Sequence, residues 1–333
     1  MNRYYKLILI LLPIFTCFCT KNPTESTSGC TLSDTAINEW RAVSSPTTEA
    51  LFDIFFIDNC NGWIIGEKSI LKTQNGGTKW EIQKEVNYSM NRIQFVNKLA
   101  GWIGLTDDAH LLKTTNGGTD WNLTEVPDKS YKFYFLNENE GCCTTNRGIY
   151  KSSDGGNSWI PKLEFPESNS AVYKIGDIFF LNELQGWAVF TVLWTNEYAS
   201  GFLTLFYYSK YGGESWQEIK RLDNQSAHSI QFCNEKIGYF TGSSLKKSLD
   251  GGLSWSQTNL TSAKDFQFVD TNQCWAIREF LDNDLNFKND IFYSQDGGEN
   301  WKQSNLDFQL NSLFFRDADN GWAVGKNGAI LKY

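Results

Sequence analysis

The chain has 333 residues, with 13 Trp, 24 Phe and 14 Tyr against 6 Pro and 2 Met, and 38 acidic against 30 basic side chains. Aromatic-rich, glycine-punctuated sequence favours strands and hairpins over helices. The acidic balance argues against a nucleic-acid partner, which would call for a basic face.

The first predicted element is an export signal. Arg3 and Lys6 precede the apolar run LILILLPIF over residues 7–15, shorter than the about 20 residues of a membrane-spanning helix. Residues 1–16 read as a signal peptide and 17–36 as a polar tether. A cysteine closing such an apolar core and followed by TKNPTESTSG resembles a bacterial lipoprotein signal, with Cys17 as the lipid attachment and Cys19 as the alternative. That resemblance implies an exported protein, lipid-anchored in the bacterial cell envelope on its periplasmic or surface face. Removal of residues 1–16 leaves 28 basic against 38 acidic side chains. Apart from Cys17 and Cys19 the cysteines are Cys30, Cys60, Cys142, Cys143, Cys233 and Cys274 with no CxxC pair, which predicts buried thiols and at most one long-range bridge.

Next comes INEWRAV, residues 37–43, a Trp-led strand with nothing before it to pair with. From residue 51 a unit repeats. A short alternating run (FDIFF, RIQF, KFYF, DIFF, SIQF, DFQF, SLFF) leads into a Gly-Trp strand such as GWIIG at 62 or its variants GCCTT at 141, GYFT at 238 and CWAI at 274. An ILKT-like strand, a double-glycine turn and a Trp-led strand follow. Four strands per unit of about 40 residues is the blade of a β-propeller. Seven Gly-Trp markers stand against six glycine turns, because the chain ends at ILKY333 where the next turn would begin. INEWRAV supplies the missing outer strand. The predicted fold is therefore an all-β, seven-bladed β-propeller of four-stranded antiparallel blades over residues 37–333, closed by the N-terminal outer strand pairing with the C-terminal blade.

The glycine turns read TQNGGTKW, TTNGGTDW, SSDGGNSW, SKYGGESW, SLDGGLSW and SQDGGENW. A hydroxyl, a carboxylate and two glycines in one loop look like chemistry, but six copies mark a structural unit. Asn75, Asn116, Asp154, Asp250 and Asp296 are expected to bond backbone amides two residues on, while Tyr211 breaks the pattern. These residues resemble the Asp-box, or BNR, repeat shared by bacterial sialidases, sortilin-type receptors and some glucan-degrading hydrolases. Combined with G-W-x-x-G and I-L-K-T they are similar to the photosystem II stability and assembly factor-like family, which has many members in non-photosynthetic bacteria. The resemblance implies a propeller and a chaperone-like contact with a membrane protein; it does not imply a light-harvesting partner.

A site is expected on the face where the first strands begin, because propeller ligands meet converging loops around the axis. One aligned position per blade there reads Asp53, Arg92, Lys132, Asp177, Ser229, Asp265 and Ser312. Three stretches interrupt the repeat and read as long loops: 161–175, 191–202 and 278–289. Trp194, Glu197 and Tyr198 in the second, with Arg278, Asp282 and Asp284 at the third, join Arg92, Lys132 and Asp177 as the partner-binding set. Asp282, Asp284 and Asn286 mimic the start of a calcium loop, but Phe287 and Tyr293 stand where the glycine and the bidentate glutamate belong. With two histidines and no HExxH, neither metal nor cofactor is expected. The expected function is a non-catalytic, lipid-anchored scaffold for an envelope or membrane protein. The alternative is a sialidase-like glycoside hydrolase or a glycan-binding protein, for which the early Arg-Ile-Pro motif is absent: Arg92 is followed by Ile93 and Gln94.

Overall fold

The computed structural model describes residues 39–333, apart from 107, 130, 168–170, 196–198, 262 and 282–286. Among these residues the strands form seven four-stranded antiparallel sheets. In blade 1 the order is Leu51–Phe56, Gly62–Gly66, Ser69–Thr73 and Glu81–Glu85. Blades 2 to 6 repeat it, with first strands at Met90–Phe95, Tyr131–Phe135, Ala171–Phe180, Ser229–Phe232 and Ala263–Phe268. Blade 7 has Leu310–Asp317, Asn320–Gly325 and Ile330–Lys332, and its outer strand is Arg41–Ala42 from the other end of the chain, paired Arg41 to Lys332 and Ala42 to Leu331. The ring is closed as the sequence predicts.

The Gly-Trp marker has a packing cause. The last Phe of the first strand pairs with that glycine, as Phe56 with Gly62 and Phe95 with Gly101, and in blade 6 Phe268 pairs with Cys274 in the glycine's place. A Cβ on Gly62 would sit 2.6 Å from the Phe56 ring, and one on Gly101 2.6 Å from the Phe95 ring, so at these two positions the glycine makes room for the phenylalanine. The preceding blade's Trp then stacks on that ring: Trp63 on Phe95 at 3.6 Å, Trp102 on Phe135 at 3.6 Å and Trp322 on Phe56 at 3.6 Å. The same indoles donate to the next blade's glycine turn, Trp63 Nε1 to Gly117 O at 3.3 Å and Trp102 Nε1 to Gly155 O at 3.0 Å. Each buried aromatic is thus a bolt between blades, combining burial with ring stacking and a satisfied N–H. Trp275 of blade 6 stacks on Phe315, but its buried Nε1 has no partner. Among the described residues no glycine turn of blade 7 stands beside it to accept the bond.

Cys142 takes the Trp position of blade 3 and, with Cys143, lies buried in Gly141–Thr145. Burial pushes the Cys142 thiol up to about 12, so it stays protonated. Cys142, Cys143, Cys233 and Cys274 carry thiols outside any disulfide, and Cys60 is disulfide-bonded.

Candidate functional site

The turns show what the opening motif does. In blade 3 the Ser152 hydroxyl accepts from the amides of Asp154 and Gly156, two and four residues on. Asp154 Oδ1 accepts from Asn157 N at 3.0 Å, Ser158 N at 2.9 Å and Ser152 Oγ at 2.8 Å, and its Oδ2 takes the Ser158 hydroxyl. The carboxylate therefore holds amides three and four residues on, and the amide two residues on belongs to the hydroxyl. This corrects the expected bonding. Burial pushes the Asp154 carboxyl up, and the bonds from Ser158, Ser152 and Asn157 together outweigh it and hold the carboxyl down at about 2. Gly155 and Gly156 have φ of 71° and 87°, the left-handed region that glycine adopts without strain. At Tyr211 only the Ser209 hydroxyl remains, accepting from Tyr211 N and Gly213 N. Asn75, Asn116, Asp250 and Asp296 repeat the bonding of Asp154 to the amide four residues on. All six turns are fold-building.

A cavity lies at the axis. A cavity of about 370 Å³ is lined by first-strand residues from all seven blades, and it brings Arg92, Lys132 and Asp177 together with Asp53, Ser229, Asp265 and Ser312. These residues are neither freely solvated strand starts nor an open charged rim. Each aspartate joins its own blade to the next. Asp53 Oδ2 accepts from Ile93 N at 2.8 Å, Asp177 Oδ2 from Ser229 Oγ at 2.9 Å and Ile230 N at 3.3 Å, and Asp265 Oδ2 from Leu313 N at 2.9 Å. Two positions deeper, glutamines do the same with paired bonds: Gln94 to both N and O of Phe135, Gln231 to Phe268 and Gln267 to Phe315. The strings RIQF, SIQF and DFQF carry these glutamines in plain view, yet their role depends on a neighbour some 40 residues away.

The electrostatics follow from this confinement. Arg92 Nη1 binds Asp177 Oδ1 at 2.8 Å, and its guanidinium lies 5.9 Å from the Phe133 ring. Burial works against the Arg92 charge, and the Asp177 carboxylate more than offsets it. Ser312 Oγ lies 3.0 Å from Asp53 Oδ1 and 3.1 Å from Asp265 Oδ2. One hydroxyl proton serves one carboxylate at a time. Burial pushes Asp265 up to about 6 against the Leu313 amide, with the Asp53 charge adding to the push, and burial raises Asp53 as well. The Lys132 ammonium makes no hydrogen bond or ion pair among the described residues; burial lowers it below the usual lysine range, and Asp177 pulls the other way.

The other predicted site residues lie apart. Residues 191–202 are largely not a loop: Gly186–Thr195 and Ser200–Ser209 continue as a long hairpin, with Trp194 opposite Gly201. A Cβ on Gly201 would meet the Trp194 ring at 2.7 Å, so this indole is half-buried against its own hairpin. The 278–289 stretch likewise extends two strands, Cys274–Leu281 and Phe287–Ser294. Arg278 there sits with its guanidinium 5.6 Å from the Phe292 ring, its Nε buried without a partner, away from the axial cavity. Glu197, Tyr198, Asp282 and Asp284 lie outside the described residues, as do the signal segment, Cys17 and Cys19. Among the described residues no group of three or more His, Cys, Asp or Glu is disposed to hold a metal ion.

Comparison with known proteins agrees with this architecture. A family model described as Photosynthesis system II assembly factor YCF48 matches residues 32–175, which span the closing strand, blades 1 to 3 and the start of blade 4. The photosystem II assembly lipoprotein Ycf48 of Synechococcus sp. (strain CC9902) is 24% identical over 351 residues, covering 98% of this chain and 95% of the relative. The photosystem II assembly protein Ycf48 of Thermosynechococcus vestitus is 24% identical over 319 residues, covering 89% and 85%. Two solved structures share the fold at 20% identity. YCF48 from Cyanidioschyzon merolae superposes with a TM-score of 0.63, covering 89% of this chain and 98% of that one. YCF48 bound to a D1 peptide superposes at 0.62, covering 89% and 97%. The chain is a seven-bladed β-propeller whose repeats resemble the Asp-box, or BNR, repeat and which is similar over most of its length to Ycf48 photosystem II assembly proteins.

Proposed function

We propose that this chain is a non-catalytic binding scaffold of the cell envelope, anchored by lipid at Cys17 or, failing that, Cys19, and that it takes its partner on the face around the axis. The observation that carries the reading is the commitment of the axial carboxylates. Asp53, Asp177 and Asp265 each accept backbone amides from the next blade, so they serve as joints of the ring. A glycosidase would need a free carboxylate pair, or an arginine cluster with a tyrosine nucleophile. Arg92, the arginine at the axis best placed for such a cluster, is engaged by Asp177. The similar proteins support the same direction: Ycf48 relatives are named as assembly proteins and lipoproteins, and one structure of that fold holds a D1 peptide. The partner of this chain is accordingly an envelope or membrane protein.

Co-purification of the native protein from envelope fractions tests this, with a panel of glycosides as control. A co-purifying membrane protein and no glycoside turnover are expected; turnover of any glycoside by the pure chain would overturn the reading. Changing Trp194 and Tyr198 together to Ala should weaken capture by more than about 2 kcal/mol, the scale of aromatic anchors. Equal changes at Lys79 and Asp120, beside the glycine turns on the opposite face, should have little effect. Capture that survives the first pair and fails with the second would place the working face on the turn side.

A further inference from the structure

The first strand of blade 4, Ala171–Phe180, has 10 residues, where the other first strands have between four and eight. Its extra length, residues 171–175, overhangs the rim of the ring. On one side these residues pair with 190–194; on the other, among the described residues, their backbone pairs with nothing. In an antiparallel pair alternate residues turn N–H and C=O to the far side, so a row of unsatisfied backbone groups faces outward. Proteins usually blunt such an edge with proline, a short strand or a cover. Here the edge is Ala-Val-Tyr-Lys-Ile, with Val172 59% exposed.

This edge does not face open solvent. It forms one wall of a cavity of about 490 Å³ whose other wall comes from blades 2 and 3, and which meets the axial cavity at Asn91 and Lys132. The described lining residues include Lys129, Lys132 and Lys174 and no carboxylate, on a chain whose net charge is −8. The stacked pair Phe165 and Tyr173, 4.2 Å between centroids, stiffens the overhang from behind.

We propose that this edge receives an extended acidic peptide as an added strand, its backbone bonding to residues 171–175 and its carboxylate side chains facing Lys129, Lys132 and Lys174. The inference rests on the scaffold reading above and narrows it to one edge and one partner chemistry. Strand addition draws affinity from main-chain bonds and specificity from alternate side chains, and five residues of edge span roughly 15 Å at about 3.3 Å per residue. The lysines select for charge; Val172 shares the face of Lys174, and the apolar peptide residues between the acidic ones fall on the opposite face, that of Ala171, Tyr173 and Ile175.

The test uses the full chain in detergent and a fluorescent nonapeptide alternating glutamate with valine, acetylated and amidated so that only side chains carry charge. Binding by anisotropy is expected, with amides of residues 171–175 protected from hydrogen exchange. Affinity should fall tenfold or more when the glutamates become lysine, when alternate peptide amides are N-methylated, and in Lys129→Glu with Lys174→Glu at unchanged melting temperature. Both lysines are exposed, and the exchange measurement on the unaltered chain decides the matter independently of that variant. Binding that ignores N-methylation or charge, or that needs a free peptide C-terminus, overturns the proposal. Absence of peptide binding while the native envelope partner is still captured overturns the edge assignment and leaves the scaffold reading standing. Loss of both overturns the two together.

Discussion

Arg92 reaches from blade 2 past blade 3 to Asp177 of blade 4, with Nη1 to Oδ1 at 2.8 Å, and so ties together blades that do not touch through their sheets. Removing one member of a shielded pair costs more than the pair contributes, because the other charge is left in a poor solvent. Arg92→Met is therefore expected to lower stability by about 3 kcal/mol, and adding Asp177→Asn should recover most of the loss. Urea unfolding of the two variants measures it. A double variant no better than the single would mean that Asp177 matters through Ser229 and Ile230 instead.

Ser312 between Asp53 and Asp265 gives the axis a pH dependence of its own. The Asp265 carboxyl is raised from 3.8 to about 6 in the folded chain. The folded state then binds a proton more tightly than the unfolded one, so this residue's stabilising contribution is full below about pH 4 and is lost as pH rises through 6. Asp265→Asn should melt higher than the parent at pH 7.5, with the gap closing toward pH 4.5. Melting curves over that range would sink the idea if the gap were constant.

The glycine turns make a paired prediction. Asp154→Ala removes four acceptor bonds at an exposed turn and should cost about 1 to 2 kcal/mol without altering partner capture. Tyr211 occupies the same place in blade 4 and is 55% exposed. Tyr211→Asp would restore the missing acceptor and is expected to stabilise by about 0.5 to 1 kcal/mol. Chemical denaturation that shows Tyr211→Asp destabilising would mean that the Lys210 ammonium, 5.0 Å from the Tyr211 ring, or the nearby Glu214 carboxylate outweighs the turn bonds.

The repeat made the fold readable: spacing alone reveals seven units, and the mismatch of seven Gly-Trp markers with six turns reveals the closure. What composition and spacing hide is any bond whose partner lies in the next blade. Asp53, Asp177 and Asp265 look like solvated strand starts until Ile93, Ile230 and Leu313 are placed beside them. The 191–202 stretch read as a loop because Asn, Glu and Ser break the repeat near its middle. Yet Val192, Leu193, Phe202 and Leu203 pair across it as strand, because β-branched and aromatic side chains on both arms find one another. Arg278 joins the axial residues in the sequence reading because it opens the 278–289 interruption of the repeat, and its guanidinium lies against the Phe292 ring instead.

The closing strand gives the last prediction. Among the described residues only Arg41 and Ala42 form ladder pairs with Lys332 and Leu331, extended by Val43 N to Ile330 O at 2.8 Å. So short a ladder is a weak latch by itself. Trp40 adds the holding surface: its ring meets Phe315 edge-on at 5.6 Å and Tyr333 at 5.2 Å, and Phe315 is in turn stacked on Trp275. The latch is therefore aromatic more than it is a sheet. A chain beginning at residue 45 should melt well below one beginning at residue 25 and aggregate through the exposed edge of Ile330–Lys332. Trp40→Ala, which leaves the backbone ladder and the Cys60 disulfide in place, should by itself cost about 2 to 3 kcal/mol, below the range for a fully buried Trp because this ring is half-exposed. If the point variant is silent while the truncation is not, the backbone ladder holds the ring closed and the aromatic cluster does not.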